Sequence, residues 1–301
     1  MKTRTLLLAL LSIACGKSDV TPIVVPTGPI ASQTPETVKP APKRTSITIN
    51  KRLPRVGDKR VEVSATEIDF TMSMAQIDVK MSIVDRLRQE EELLDVADGA
   101  IRKLRVTFRQ DEKTTTDGNT GTPRKEPSAI HGKTYVVTAR KGDVDVRDDQ
   151  GKLAPPAEGA LVTKKYKTLG KLDPLLVAIP ERPIAFGEEV PALANALVSD
   201  MLQRKNTEGE KIDVDSPRVV LRDADASSAF FDVDMMMRAD GGGTVSMSMH
   251  LVGTVAVTIA EGRVSSATLG APIEMVFGGG SMANASGNGS LKYHATFSYE
   301  P

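Results

Sequence analysis

The run AFFDVDMMMRADGGGTVSMSMHLVGTVAVTIA, Ala229 to Ala260, decides how the rest of the chain is read. Phe231, Val233, Met235 and Met237 alternate with Asp232, Asp234 and Met236. After Gly241-Gly242-Gly243 the alternation resumes: Val245, Met247, Met249, Leu251, Gly253, Val255, Val257 and Ile259 against Ser246, Ser248, His250, Val252, Thr254, Ala256 and Thr258. A period of two puts the first set of each arm on one face of a sheet and the second set on the other. The glycines supply the positive-φ positions that a tight strand reversal uses. The run is therefore a long β-hairpin.

Working outward, the same period recurs on both sides. Ile47 and Ile49 mark a short strand in Ser46–Asn50. Val61, Val63 and Ala65 alternate, and Ile68, Phe70, Met72 and Met74 continue on one face. Ile77, Val79, Met81 and Ile83 follow. Arg86–Val96 has a helical composition, but its place between strands argues for strand. Leu104, Val106 and Phe108 point inward from Ile101–Gln110; Thr134–Arg140 and Asp143–Arg147 are short strands. Thr114–Ala129 and Gly278–Gly289 read as loops, from their polar and glycine content. Pro217–Leu221, Arg263–Leu269, Ile273–Phe277 and Leu291–Tyr299 complete the strands.

Two mid-chain stretches break the pattern, Pro155–Leu169 and Pro191–Lys205. In the second, Leu193, Leu197 and Met201 recur every four residues, Pro191 stands in the first turn and Arg204-Lys205 close it, as a helix requires. About ten to twelve strands around a helical insertion predict an α+β fold. The expected architecture is one large curved antiparallel sheet, a half-barrel, with two helices packed on its concave face.

Equal totals of 39 basic and 39 acidic residues leave no net charge to draw nucleic acid or an anionic membrane surface. Aromatic residues make up 4% and Trp is absent, which argues against a base-stacking surface. Cys15 is the single cysteine, so an internal disulfide and a cysteine zinc site are both excluded.

The N-terminus carries an address. Lys2 and Arg4 precede the apolar run Leu6–Leu11, and small residues lead to Ala14, the layout of a signal peptide too short to span a bilayer. Leu11-Ser12-Ile13-Ala14-Cys15-Gly16 resembles a bacterial lipoprotein signal, which implies acylation of Cys15. Gly16, where Asp would direct inner-membrane retention, implies an outer-membrane anchor. Two or more acyl chains give the firm attachment that one does not. Residues 15–45, with Pro22, Pro26, Pro29, Pro35, Pro40 and Pro42, read as an extended tether. Residues 46–301 form a single domain. The layout of that body, with Val56-Gly57-Asp58 and Phe186-Gly187-Glu188 turns flanking its strand and helix blocks, resembles the half-barrel of the bacterial lipoprotein-carrier class (LolA/LolB and LppX-like) and uncharacterised bacterial lipoproteins.

Chemistry-bearing motifs are few. Met72-x-Met74, Met235-x-Met237 and Met247-x-Met249 each place two thioethers on one strand face. Thioethers suit Cu(I), but His250 alternates to the face opposite Met247 and Met249. Adaptable packing is the better reading of these side chains, as core or as the wall of an apolar cavity. The expected lining is Met72, Met74, Met235, Met237, Met247 and Met249, with Leu197 and Met201 from the second helix. Asp143-x-Asp145-x-x-Asp148-Asp149-x-Gly151 lacks the oxygen set and closing Glu of a calcium loop. His131, His250 and His294 stand in no hydrolase motif.

The expectation is a non-enzymatic lipoprotein of the cell envelope, without cofactor, metal or nucleic-acid partner. It is lipid-anchored in the outer membrane and binds a lipid-like hydrophobic molecule or an envelope protein partner. A solid-cored structural or assembly lipoprotein is the alternative, and an envelope hydrolase with an unrecognised site the third.

Overall fold

The computed structural model describes residues 45–74, 77–118, 120–205, 211–240, 245–277 and 285–301. The expected signal peptide, Cys15, the expected tether up to residue 44 and the turn expected at Gly241–Gly243 lie outside them. In chain order the elements are β1 (Ser46–Ile47), β2 (Lys59–Met74), β3 (Ile77–Ala97), β4 (Ala100–Asp117), β5 (Pro123–Pro127), β6 (Thr134–Arg140) and β7 (Asp143–Asp148). Then follow α1 (Pro156–Tyr166), α2 (Pro174–Ala178), β8 (Ile184–Ala185), α3 (Pro191–Lys205), β9 (Lys211–Ala224), β10 (Ser228–Asp240), β11 (Val245–Thr258), β12 (Val264–Phe277) and β13 (Ser286–Glu300).

Eleven strands form one open antiparallel sheet in the order β7-β6-β4-β3-β2-β13-β12-β11-β10-β9, with β5 paired to β4. β1 and β8 make a separate two-stranded ribbon. Two meanders, β2–β7 and β9–β13, meet at a seam where β2 pairs with β13 from Lys59↔Glu300 to Ser73↔Ser286. The segment joining the meanders leaves from one edge of the sheet and returns at the other. It must cross ten strands, about 43 Å at the usual spacing, and it does so carrying the three helices.

Both outer helices cover the same face. α1 contributes Val162 and Tyr166 to a cluster with Leu87, Leu93, Leu104, Val106, Phe108, Tyr135, Val137 and Val146. α3 contributes Leu193 and Ala194 to a second cluster with residues of β9–β13 and with Ile68 and Ile83. Ile83 and Leu87 share a parity on β3, whose pairing with β2 runs without a register shift from Lys59↔Glu92 to Met74↔Ile77. The two clusters are thus neighbours on one face.

The α+β sheet matches the sequence expectation, and the ambiguous Arg86–Val96 is strand. Three expectations are corrected. A third helix, the five-residue α2, is capped by Asp173, whose Oδ1 accepts from the amides of Leu175 and Leu176 at 2.9 and 3.4 Å. The loop expected over Thr114–Ala129 instead extends β4 to Asp117 and supplies β5, because Thr-rich sequence pairs readily at a sheet margin. Residues 286–289 of the expected Gly278–Gly289 loop belong to β13. There glycine is demanded by a close neighbour: a Cβ on Gly287 would stand 2.1 Å from the Phe70 ring.

Candidate functional site

Cross-strand register turns the covered face into a set of rows. One runs Met235, Leu251, Ala271, Leu291, Ile68, Ile83; the next runs Met237, Met249, Ile273, Gly289, Phe70, Met81. A third holds Ala239, Met247, Met275, Gly287 and Met72. Met235, Met237, Met247 and Met249 are buried in the α3-side cluster, with Leu197, Met201, Met81 and Met275 packed partly buried against it. Sequence alternation therefore brings six of the eight expected lining residues together. Met72 stands apart, against Phe277, Ala285 and Met275. Met74 ends β2, and its side chain lies outside the described residues.

Met236 and His250 face the other way. They pair across the strands, and His250 Nε2 lies 2.7 Å from Asp234 Oδ1 on the exposed face. The acidic turn is spent locally: Asp148 Oδ1 accepts from the amides of Gln150 and Lys152 at 3.0 and 2.8 Å, and Asp145 pairs with Arg147 at 2.9 Å.

A second feature escaped the periodicity. Val61, Val63 and Ala65 are the apolar alternates at the start of β2, yet the structure turns them outward and buries Glu62, Ser64 and Thr66 instead. β2 carries no bulge, so the parity set by Ile68 and Phe70 persists to the start of the strand. Counting back by twos from Ile68, with no Gly or Pro to break step, was the available signal. On β3 the same face holds Asp85, Gln89 and Glu91. These six buried polar residues form a strip along the centre of the face, between the α1 and α3 clusters.

Hydrogen bonds knit one end of the strip. Glu91 Oε1 accepts from Arg60 Nη2 at 2.8 Å, from the Tyr166 hydroxyl of α1 at 2.7 Å and from Gln89 Nε2 at 3.1 Å. The same Gln89 nitrogen donates to Glu62 Oε2 at 3.0 Å, and the Ser64 hydroxyl lies 3.4 Å from Glu62 Oε1. Burial and the Glu91 carboxylate push the Tyr166 hydroxyl well above its ordinary value, so it stays protonated and donating. Burial works against the charge of Arg60; Glu91, Tyr299 and Glu62 outweigh it and keep the guanidinium charged.

At the other end Asp85 has Thr66 as its partner on β2 and Lys113 on β4. Burial raises its carboxyl to about 7, against the pull of Lys113 and Lys165 and with a push from Asp111. Lys165 Nζ of α1 lies 3.4 Å from Asp111. Chemically, the face offers a soft apolar wall beside a strip of hydrogen-bonding groups.

No family model and no curated protein matches the chain. Among solved structures the chain is similar to one described as "lipid-protein interactions in lipovitellin", at 5% identity and a TM-score of 0.37. The match covers 83% of this chain and 26% of that one, so the chain spans about a quarter of its length.

Proposed function

We propose that the chain is a non-catalytic lipoprotein of the cell envelope, held to the outer membrane through acylated Cys15, whose covered sheet face takes a hydrophobic, lipid-like ligand. The carrying observation is the gathering of Met235, Met237, Met247 and Met249 on one face opposite Leu197 and Met201 of α3. Unbranched thioether side chains repack around guests of varied shape, and an α-helix laid over such a wall can shift to admit one. Native mass spectrometry of the full chain purified from an envelope fraction tests this. A reproducible lipid-mass adduct supports the ligand, and its consistent absence opposes it. Cys15→Ser separates anchor from ligand: it should release the protein from membranes without removing the adduct.

The burial of Met235, at 1% exposure, favours a second reading, a solid-cored body that serves envelope assembly through its surface. The same spectrum distinguishes the two.

A further inference from the structure

We propose that the polar strip on β2 and β3 is a headgroup subsite for an amphiphile carrying an ammonium group; this rests on the hydrophobic-ligand reading and specifies its ligand class. Three observations converge. First, of four buried side-chain atoms without a hydrogen-bond partner among the described residues, two are guanidinium nitrogens, Arg60 Nε and Arg86 Nε, and two are oxygens of the strip, Gln89 Oε1 and Thr66 Oγ1, on residues only 5% and 1% exposed. Buried polar atoms are nearly always satisfied, so each such orphan marks a place where a partner belongs. The orientation of the Gln89 amide is fixed, because its nitrogen donates to two carboxylates, those of Glu62 and Glu91. Turning the amide over would set its oxygen against both.

Second, no cation hydrogen-bonds Glu62 among the described residues. Arg60 is engaged by Glu91, Lys165 by Asp111, and Lys113 lies across from Asp85. Glu62, a buried carboxylate, feels the charge of Arg60 but accepts hydrogen bonds only from the uncharged donors Ser64 and Gln89 among the described residues. A buried carboxylate with lone pairs to spare gains from a cation that donates directly to it.

Third, the strip borders apolar surface along its whole length. Thr66 pairs with Tyr293 and Tyr293 with Leu269; Glu62 pairs with Phe297, whose ring lies 6.0 Å from the Arg60 guanidinium. Next to Thr66 on β2 begins the apolar row of Ile68 and Leu291 that leads to Met235. An ammonium donates three hydrogen bonds and accepts none. It matches the free acceptors of Gln89 and Thr66 and the carboxylate of Glu62, while its tail follows the methionine wall.

The experiment is a comparison of dodecylamine, dodecanol and dodecanoate binding to the full chain by isothermal titration calorimetry below their micellar concentrations. Dodecylamine should bind at least about tenfold more tightly than the other two, the worth of one hydrogen bond to a charged group. Glu62→Gln should remove that preference and leave dodecanol affinity unchanged. Thr66→Val guards against misfolding as an explanation. It deletes a hydroxyl without a partner, so it should not lower stability, yet it should weaken the amine severalfold. Equal affinity for the three probes overturns the subsite while leaving the hydrophobic-ligand reading intact. Failure of all three to bind overturns both. A Thr66→Val chain that binds dodecylamine as the parent does assigns the strip a purely structural role.

Discussion

Asp85 stands between Thr66 and Lys113 in the sheet, and burial lifts its carboxyl to about 7. In the unfolded chain it titrates near 4. Between those values the folded protein keeps a proton that the unfolded chain has released. Stability is therefore full below about pH 4 and falls as pH rises through 7, by roughly 4 kcal/mol for a shift of about three units. Asp85→Asn should abolish that slope: urea unfolding should show the variant about 4 kcal/mol more stable at pH 8 and level with the parent at pH 4. Equal midpoints at pH 8 contradict it. Asp58 works in the opposite sense. Burial raises its carboxyl, but Arg263 Nη2 at 2.7 Å, the Arg55 amide at 3.2 Å and Arg52 Nη2 at 2.8 Å together hold it below the ordinary value. Its contribution is present above pH 4 and lost as pH falls through the lowered value. Asp58→Ala should cost about 3–5 kcal/mol at pH 7 in the same assay, because two arginines lose a buried partner. Neither group was legible in the sequence. Asp58 sits in a Val-Gly-Asp turn like many others, and its partners lie as far as 205 positions away.

Among the elements, β10 and β11 were the most legible, since alternation over a dozen residues leaves one register that buries Phe231, Val233, Met235 and Met237 together. The strip on β2 was hidden for the converse reason. Local apolar alternation favoured Val61 and Val63, while neighbouring strands held the register that turned Glu62 inward. β9 also shows tertiary context winning. Pro217 and the positive φ of Ser216, 49°, would break a central strand, but β9 is the sheet edge and a bulge opposite Asp234 and Met236 absorbs them. β11 passes close to β12 at Gly253, where a Cβ would lie 2.1 Å from the Thr268 carbonyl oxygen. Gly253→Ala must push backbone aside and should cost about 1–3 kcal/mol by thermal or urea unfolding. Leu193→Ala on α3 should cost about 2–5 kcal/mol, and a smaller loss is expected at the exposed Leu161 of α1.

For the whole molecule, topology places the chemistry. A chain that leaves one sheet edge and must reach the other lays its helices across a single face, and the two apolar clusters form beneath α1 and α3. The two clusters meet on β3, where Ile83 belongs to one and Leu87 to the other, so the polar strip lies where helical cover changes hands. The opposite face carries cross-strand ion pairs such as Arg109 with Glu90 and Arg222 with Asp232, each contributing little to stability. Strand count and helix insertion followed from periodicity alone; the seam did not, because nothing local in β2 names β13 as its partner. The direct test of the proposed ligand face is methyl NMR of the full chain with 13C-labelled methionine, titrated with dodecanol. Shifts at Met235, Met237, Met247 and Met249, with Met236 on the opposite face unmoved, are the expected result. Silence at those four methyls, or movement confined to Met236, contradicts a hydrophobic ligand on this face.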